Sequence, residues 1–416
     1  MASIRELAPE IQQRISGFKE ALRVGGLALP VVKNVTSLLW SMAKERSVQV
    51  AVLARALEEP ISPKKTWERL RRTVGKKLLR ADLLAVHRRI NAGCIREKRY
   101  CLVDLSDIQK VYAEKMEGLS RVRDGSTKGI GNGYWWLNLT MADSTGMLPV
   151  YSELYSLDRE GAEQESENKK LLHAIGWVRE VHPGAVFVID RGGDRGVLFE
   201  TFFRDETRFI IRGQETRSVG LHADSDAMTN IKEVALRVKT NQRYKSRTGK
   251  GFKVGCRRIY LQGQALWLVV SRREENPNAL SWFLTNLEGS REQVMDTVME
   301  GYGYRWRVEE FHRQIKQDYA LESMCLQEYE ALKNLTVLVM IAAAFIMRLP
   351  KMLAIKLIAA ANRLPRKRLS DIPSYEYYML SAAVSWVLQA CRKLPPKPLH
   401  LRKRDYFQLK LELNGF

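Results

Sequence analysis

The pattern of apolar and polar positions divides the chain into a helical beginning, a strand-rich middle and a helical end. Residues 1–95 carry apolar side chains at helical spacing, with no strand-like alternation. Short apolar runs follow, and we predict strands at residues 100–104, 185–190 and 208–212. This pattern indicates an α/β fold in which functional groups lie at strand ends.

A β-hairpin and a helix are predicted between the first two of these strands. The hairpin strands are residues 134–142 and 147–154, and the helix covers about residues 166–180. We also expect a helical stretch between residue 104 and the glycine-rich loop that ends at Gly133. Strand, hairpin, helix and strand in this order are compatible with the opening of a ribonuclease-H-like fold.

A second strand-rich block, at about residues 233–286, has the character of an insertion. Its predicted strands include residues 259–261 and 265–271, and residues 243–253 form a strongly basic hairpin tip. Helical spacing returns near Glu292 and continues, with breaks, to about Arg348.

The net charge of the chain predicts a polyanionic partner. The 416 residues include 68 Lys and Arg against 47 Asp and Glu, which gives a formal net charge of +21. A compact particle with this charge repels itself unless a polyanion binds to it, and nucleic acid is the first candidate. Residues 61–100 alone carry 13 basic and three acidic side chains.

The basic part of the N-terminal region suits a helix-turn-helix. Ser47 is the candidate N-cap of a helix through Val50 and Leu57, and Pro60 is expected to stop it. The next helix would meet DNA through its basic side chains, Lys64, Lys65, Arg69, Arg71 and Arg72. A pair of solvated basic helices explains the same pattern equally well.

Other function classes find little support in the sequence. The longest apolar run, residues 335–347, falls short of the roughly 20 residues that cross a bilayer, so we interpret it as a buried helix. Glu6 and Glu10 do not fit a secretory signal, and we expect a cytoplasmic, nucleoid-associated protein without a membrane partner. Five cysteines without a CxxC pair predict neither a zinc site nor a disulfide framework.

Two aspartates that end predicted strands are candidates for metal-dependent phosphodiester chemistry. Asp104 lies in Leu-Val-Asp-Leu-Ser, and Asp190 lies in Val-Ile-Asp-Arg-Gly-Gly-Asp. Carboxylates from separate segments must converge, because the two metal ions sit about 4 Å apart around the reacting phosphate. Oxygen ligands suit Mg²⁺. A lone Asp after a strand is more often a turn or cap residue, and Asp107 is an alternative ligand to Asp104.

The third carboxylate is expected on a helix that includes residues 302–316. At about 100° per residue, one side of this helix forms a polar stripe of Tyr302, Arg305, Glu309, Arg313 and Lys316. Such a stripe can hold a metal ion through Glu309 while its basic members bind phosphate oxygens. The alternative is an exposed helix with ion pairs such as that of Arg305 with Glu309.

This segment resembles the signature of the insertion sequence four family of DDE transposases. Tyr302, Arg305, Glu309 and Lys316 reproduce its spacing, Y-x2-R-x3-E-x6-K. Asp104, in the form D-x-S, resembles the family's first catalytic aspartate, usually written D-x-T, and Asp190 resembles the second. The resemblance covers about residues 47–348.

The resemblance implies a ribonuclease-H-like catalytic core that is interrupted by a β-rich insertion. It also implies Mg²⁺-dependent cleavage at the element ends, with Mn²⁺ as a substitute, followed by a DNA hairpin and by strand transfer from the 3′-OH into target DNA. The partner is then double-stranded DNA, bound by a homodimer on paired ends. A metal-dependent nuclease on the same fold and a non-catalytic DNA-binding relative are the alternatives.

DNA contacts follow from the resemblance and from the basic hairpin tip. By resemblance, Tyr302, Arg305 and Lys316 hold phosphates beside the cleavage site, and Arg212 is a further contact. Trp282 resembles a tryptophan that stacks on a flipped base, although a lone strand tryptophan is more often a core residue. The hairpin tip interleaves aromatic and basic side chains, which suits DNA, through Arg243, Lys245, Arg247 and Lys250.

We therefore expect five segments along the chain. They are a helical N-terminal DNA-binding region, the first part of the catalytic core, a β-rich insertion, the second part of the core and a helical C-terminal region, at residues 1–95, 96–212, 213–286, 287–348 and 349–416.

Overall fold

The N-terminal quarter of the chain is helical, as its apolar spacing predicts. The structure is a computed structural model that describes residues 4–123, 129–157, 166–223, 227–361 and 376–390. Its first five helices are α1 (Ile4–Val24), α2 (Leu29–Glu45), α3 (Val50–Ala56), α4 (Pro63–Val74) and α5 (Leu79–Glu97). Helix α2 is buried along most of its length, because it packs against α1, α3 and α4 and against two later helices.

The predicted start of helix α3 was wrong by two residues. Gln49 is the N-cap, and the hydroxyl of Ser47 accepts a hydrogen bond from the Gln49 backbone N–H at 3.1 Å, which forms a turn before the helix. Helix α3 ends at Ala56, before Pro60. Between these two residues, Glu58 adopts a left-handed backbone with φ of 49°. Helix α4 follows, capped by the side chain of Ser62.

The first helices are followed by the first half of a large mixed sheet. These strands lie in the order β4-β3-β1-β5-β6. The shorter β2 pairs with the first residues of β3, before those that pair with β4. Strand β1 runs antiparallel to β3 and parallel to β5, which is parallel to β6. The elements are β1 (Tyr100–Gln109), β2 (Ser120–Arg123), β3 (Ile130–Asp143), β4 (Gly146–Tyr155), α6 (Glu167–Arg179), β5 (Val186–Ile189), α7 (Gly196–Arg204) and β6 (Arg208–Arg212).

The expected helical stretch after residue 104 was wrong, because β1 continues to Gln109. Its second half pairs with β3 from Leu105 to Gln109, and backbone hydrogen bonds of this ladder replace those of a helix. The glycine-rich loop joins β2 to β3, but residues 124–128 of it lie outside the described residues. The predicted turn after Asp143 and the strand at residues 208–212 are confirmed.

The strand-rich block after β6 continues the same sheet. Strand β12 pairs antiparallel with β6, and β11 and β10 follow it outward. The elements are β7 (Ser218–Gly220), β8 (Met228–Asn230), α8 (Ile231–Arg237), β9 (Gln242–Lys245), β10 (Gly251–Leu261), β11 (Gln264–Arg273) and β12 (Leu280–Thr285). The basic tip is the turn between β9 and β10.

Helices return after β12 and cover the sheet. They are α9 (Arg291–Tyr304), α10 (Trp306–Asp318), α11 (Tyr329–Met347), α12 (Lys351–Ala360) and α13 (Glu376–Ala390). Ser290 and Gln293 form a reciprocal capping box at the start of α9. Gly301 lets α9 approach the sheet, because a Cβ there would lie 2.6 Å from the ring of Tyr100.

Helix α11 is long and apolar enough to cross a membrane by length and composition alone. In its most apolar stretch, 78% of the residues are buried inside the protein, against β4, α2 and α5. A buried core helix passes the same test, so this helix is weak evidence for a membrane span.

Asn334 of α11 joins the N-terminal helices to the rest of the fold. Its buried amide donates to the backbone oxygens of Val74 at 2.7 Å and Lys76 at 2.8 Å, at the end of α4.

We expect Asn334→Ala to lower the thermal unfolding midpoint and to speed proteolysis within residues 50–80, because an unpaired buried polar group costs about 1–3 kcal/mol. The exposed Asn278→Ala is the control, and equal behaviour of the two variants contradicts this role.

Candidate active site

Two of the predicted acids lie side by side where the parallel pairing of β1 with β5 ends, in the middle of β1 and directly after β5. Val103 of β1 pairs with Ile189 of β5, so the next residues, Asp104 and Asp190, occupy the same level of the sheet. Asp190 also caps the 3₁₀ turn that follows, since its Oδ1 accepts a hydrogen bond from the Gly192 N–H at 2.8 Å. A capping role and a position beside Asp104 are therefore compatible.

Arg305 connects Asp104 to the third acid, Glu309. It lies at the junction of α9 and α10, and its guanidinium contacts Asp104 Oδ1 through Nη1 at 3.2 Å and Glu309 Oε1 through Nη2 at 2.6 Å. The Arg305 side chain is 18% exposed and that of Asp104 is 11% exposed, so the bridge is shielded from solvent. The i,i+4 ion pair of Arg305 with Glu309 is present, and the same guanidinium also contacts Asp104 of strand β1.

The pKa of Asp104 is affected by the charges of the other two acids. Burial raises the pKa of Asp104 to about 7; Arg305 opposes this shift, and the negative charges of Asp190 and Glu309 add to it. Burial lowers the pKa of Arg305, but Asp104, Tyr302, Glu309 and Asp190 outweigh it and raise that pKa above its ordinary value. The charges of Asp190 and Glu309 therefore act on both Asp104 and Arg305.

Asp107 belongs to a neighbouring cluster. The Lys316 ammonium lies 3.8 Å from Asp107 Oδ1 and 3.4 Å from Glu322 Oε1, and the Gln109 amide donates to Asp107 Oδ2 at 2.6 Å. Asp107 and Gln109 lie four and six residues beyond Val103, toward the end of β1, and Lys316 lies near the end of α10. Asp104 is thus the β1 carboxylate that the Arg305 bridge includes.

Three other predicted residues, Tyr302, Arg212 and Arg313, differ in their exposure to solvent. Tyr302 packs on Phe283 of β12, with ring centroids 4.5 Å apart, and the Arg305 guanidinium lies 6.0 Å from its ring. Arg212 ends β6 beside the end of β5, because Ile211 pairs with Ile189. Arg313 is exposed.

Trp282 lies in the core and not on a surface. It is 4% exposed, and Gly213 makes room for its indole, because a Cβ there would lie 2.6 Å from Cδ1 of Trp282. Its Nε1 has no hydrogen-bond partner within the described residues. The sequence left Trp306 without a role, yet this residue is 53% exposed in the first turn of α10.

The basic tip reaches over the end of α9. Arg247 donates to the Tyr304 hydroxyl at 3.0 Å and to the Ser144 carbonyl at 3.3 Å, and its guanidinium lies over the Tyr304 ring. Arg243 is 85% exposed, and Lys245 and Lys250 are also exposed. The tip therefore presents positive charge beside the junction that carries Arg305.

His312 contacts Asp104 and was missed in the sequence. Its Nδ1 lies 3.5 Å from Asp104 Oδ2, and burial lowers its pKa to about 3, so the ring is neutral. At about 100° per residue, His312 lies about 20° from Arg305 and about 60° from Glu309 around the helix axis, on the same side of the helix. The same helical geometry that selects Glu309 therefore also selects His312.

A divalent cation fits this group by the chemistry of its ligands. Carboxylate oxygens on separate elements are the ligands that Mg²⁺ and Mn²⁺ prefer, and the acids already require a cation. In the described part of the chain, no three His, Cys, Asp or Glu side chains are gathered closely enough to hold a metal ion as they stand. Arg305 supplies the positive charge between Asp104 and Glu309 instead.

The comparisons with known proteins give one family. A family model described as the transposase DDE domain matches residues 136–345, just over half of the chain. The match extends from β3 to α11 and includes Asp190 and Glu309. A search of curated proteins finds no match to the chain.

The raised pKa of Asp104 predicts a pH-dependent cost to stability. The ordinary pKa of an aspartate carboxyl is 3.8 and that of Asp104 in the folded protein is about 7, so the folded protein binds this proton more tightly than the unfolded chain does. Wild type should therefore lose stability relative to Asp104→Asn as pH rises from about 4 to about 7, by at most about 1.4 kcal/mol per pH unit. The measurement is the thermal midpoint of both proteins without divalent ions.

The exposed Asp82→Asn variant is the control for this comparison, since Asp82 lies on α5. Its midpoint should follow that of wild type at each pH. A constant difference between Asp104→Asn and wild type from pH 4 to pH 8 contradicts the raised pKa.

Proposed function

This chain belongs to the family with a transposase DDE domain, and we propose that it cleaves DNA at the ends of its own insertion sequence and joins the ends to target DNA. The observation that carries the proposal is the Arg305 bridge, which draws Glu309 to Asp104 beside Asp190. The motif Y-x2-R-x3-E-x6-K further supports a member of the insertion sequence four family.

In this proposal, Asp104, Asp190 and Glu309 hold the divalent cations of the reaction. A pair of such cations, Mg²⁺ or Mn²⁺, activates the attacking oxygen and neutralises charge on the leaving oxygen. The burial of Asp104 supports this role, because its ionised form is costly without a nearby positive charge. Arg305 supplies that charge in the protein alone and is free to bind phosphate when a cation replaces it.

The proposed reaction begins with hydrolysis of one strand at each element end. The water oxygen bonds to phosphorus as the bond from phosphorus to O3′ breaks, which leaves a 3′-OH and a 5′-phosphate. The 3′-OH then attacks the opposite strand to form a hairpin, and the 3′-OH of the flanking DNA leaves. Water opens the hairpin and regenerates the 3′-OH of the element end, which attacks a phosphate of target DNA and displaces a 3′-OH of the target strand. Cut-and-paste transposition is the result.

The proposed DNA contacts surround the acids. Tyr302 lies near the end of α9, Arg305 lies at the α9–α10 junction, and Lys316 lies on α10. Arg212 ends β6. In these positions the four side chains can hold phosphates beside the cleavage point. The β9–β10 tip adds exposed charge beside them. Arg313 is exposed enough to reach DNA, whereas Trp282 needs a local rearrangement to stack on a base.

The surrounding segments have proposed roles of their own. Residues 1–95, with the exposed Lys64, Lys65 and Arg72 of α4, bind the element ends, and residues 213–286 form an insertion. In the described part of the C-terminal region, α12 and α13 add to the helices. Two copies acting on paired ends in the cytoplasm, at the nucleoid, complete the proposal. Residues 391–416, with a basic cluster, lie outside the described residues.

The substitution Glu309→Gln tests the function directly. It keeps the shape of the side chain and removes a ligand's charge, so we expect end cleavage to fall by at least about 100-fold while binding to the end persists. The substrate is a plasmid that carries the coding sequence with its native flanking DNA, incubated with Mg²⁺. The matched control is Glu292→Gln, on the exposed first turn of α9.

Two outcomes would contradict this proposal. Unchanged cleavage by Glu309→Gln removes the acid from the mechanism. Cleavage by wild type without joined products identifies a nuclease instead, because joining to a second plasmid requires strand transfer.

The basic tip is tested through the salt dependence of DNA binding. Each phosphate contact contributes a slope of about −0.9 to the plot of log K against log salt concentration, so Lys245→Gln with Lys250→Gln should reduce the slope by about 2. Lys351→Gln with Lys356→Gln, at exposed positions of α12 outside the proposed DNA-binding surfaces, is the matched control. An unchanged slope in the tip variant excludes these lysines as contacts.

A further inference from the structure

A buried layer of polar side chains lies behind Asp104. Asp104 of β1 is directly opposite Asn138 of β3, which is directly opposite Ser152 of β4. Asn138 and Ser152 are fully buried, and neither polar atom of the Asn138 amide has a hydrogen-bond partner within the described residues. Polar atoms are costly in such a position, so this row requires an explanation beyond packing.

His312 closes this layer from the side of α10. Its ring is 7% exposed and packs on Trp136, with ring centroids 4.8 Å apart and an interplanar angle of 37°. Trp136 is held in turn, because its Nε1 donates to the Ser152 hydroxyl at 2.8 Å. The orientation of the His312 ring is therefore determined by two strands of the sheet as well as by its own helix.

The two oxygens of Asp104 face different partners. Oδ1 accepts from Arg305 at 3.2 Å, while Oδ2 lies 3.5 Å from His312 Nδ1, at the outer limit of a hydrogen bond. His312 Nε2 has no partner in the described part of the chain. Because a buried N–H without an acceptor is unfavourable, the ring proton belongs on Nδ1, where it faces Asp104.

We propose that His312 is a positioning residue that holds Oδ2 of Asp104, so that Oδ1 is presented to a divalent cation. This inference rests on the proposed function, since it assigns His312 a role toward the same cation. An outer hydrogen bond of this kind restricts a carboxylate to one rotamer, and its loss typically weakens metal binding by about 10- to 100-fold. The layer of Trp136 and Ser152 then serves to keep the imidazole in place.

Two substitutions distinguish positioning from packing. The amide nitrogen of Asn superimposes on the Nδ1 of histidine, whereas that of Gln superimposes on Nε2. His312→Asn can therefore still donate to Asp104, and His312→Gln of similar polarity cannot. His312→Leu removes both nitrogens, and the exposed His173→Gln is the matched control.

The experiment is a titration of the full-length protein with Mn²⁺ without DNA, in which free Mn²⁺ is measured by electron paramagnetic resonance. We expect His312→Gln to raise the Mn²⁺ dissociation constant by about 10- to 100-fold, and His312→Asn to stay within about 3-fold of wild type. Thermal midpoints of the variants, measured in parallel, separate this effect from loss of folding. The Asn and Gln variants keep the test valid if His312→Leu does not fold.

The outcomes separate this inference from the proposed function. Equal Mn²⁺ affinity in wild type, His312→Asn and His312→Gln overturns the positioning role, as does an equal loss in both variants. If Glu309→Gln also binds Mn²⁺ as wild type does, or if wild type binds none, the proposed metal site fails as well. Loss in Glu309→Gln with full binding in His312→Gln contradicts the role of His312 alone.

Discussion

The candidate site depends on the charge balance around one shielded carboxyl, Asp104, which is affected by the negative charges of Asp190 and Glu309. Like charges at short range repel, and burial strengthens that repulsion, so a compensating cation is required for the acids to be ionised together. Arg305 meets this requirement by bridging β1 and α10. A cationic ligand of the same acids competes with the guanidinium, which couples occupancy of the site to the position of one side chain.

The fold places these charges by simple means. Parallel pairing of β1 with β5 sets two aspartates at one level, and the α9–α10 junction brings Arg305 over them. Gly301 allows α9 to lie close to the sheet, so the junction is fixed by packing. Rigid elements rather than loops therefore carry most of the group, which suits a site that requires accurate placement.

The sequence predicted elements better than it predicted contacts. The strand at residues 208–212 and the turn after Asp143 follow from local preferences, whereas the second half of β1 depends on pairing with β3, which is distant in sequence. The periodicity of α10 selects Glu309 and Arg305, but it does not reveal the contact of His312 with Asp104, because the burial of His312 depends on Trp136 of β3. Trp282 shows the same limit, since Gly213 determines where its ring lies.

The pairing of β12 with β6 has a consequence for how the chain can be divided. Because the strand-rich block shares a ladder with the first half of the sheet, excising residues 213–286 would uncover the backbone N–H and C=O groups of β6 along one side. An unprotected apolar edge of this kind templates pairing with another molecule. A shortened chain would therefore tend to aggregate, and the block serves solubility as well as any contact it makes.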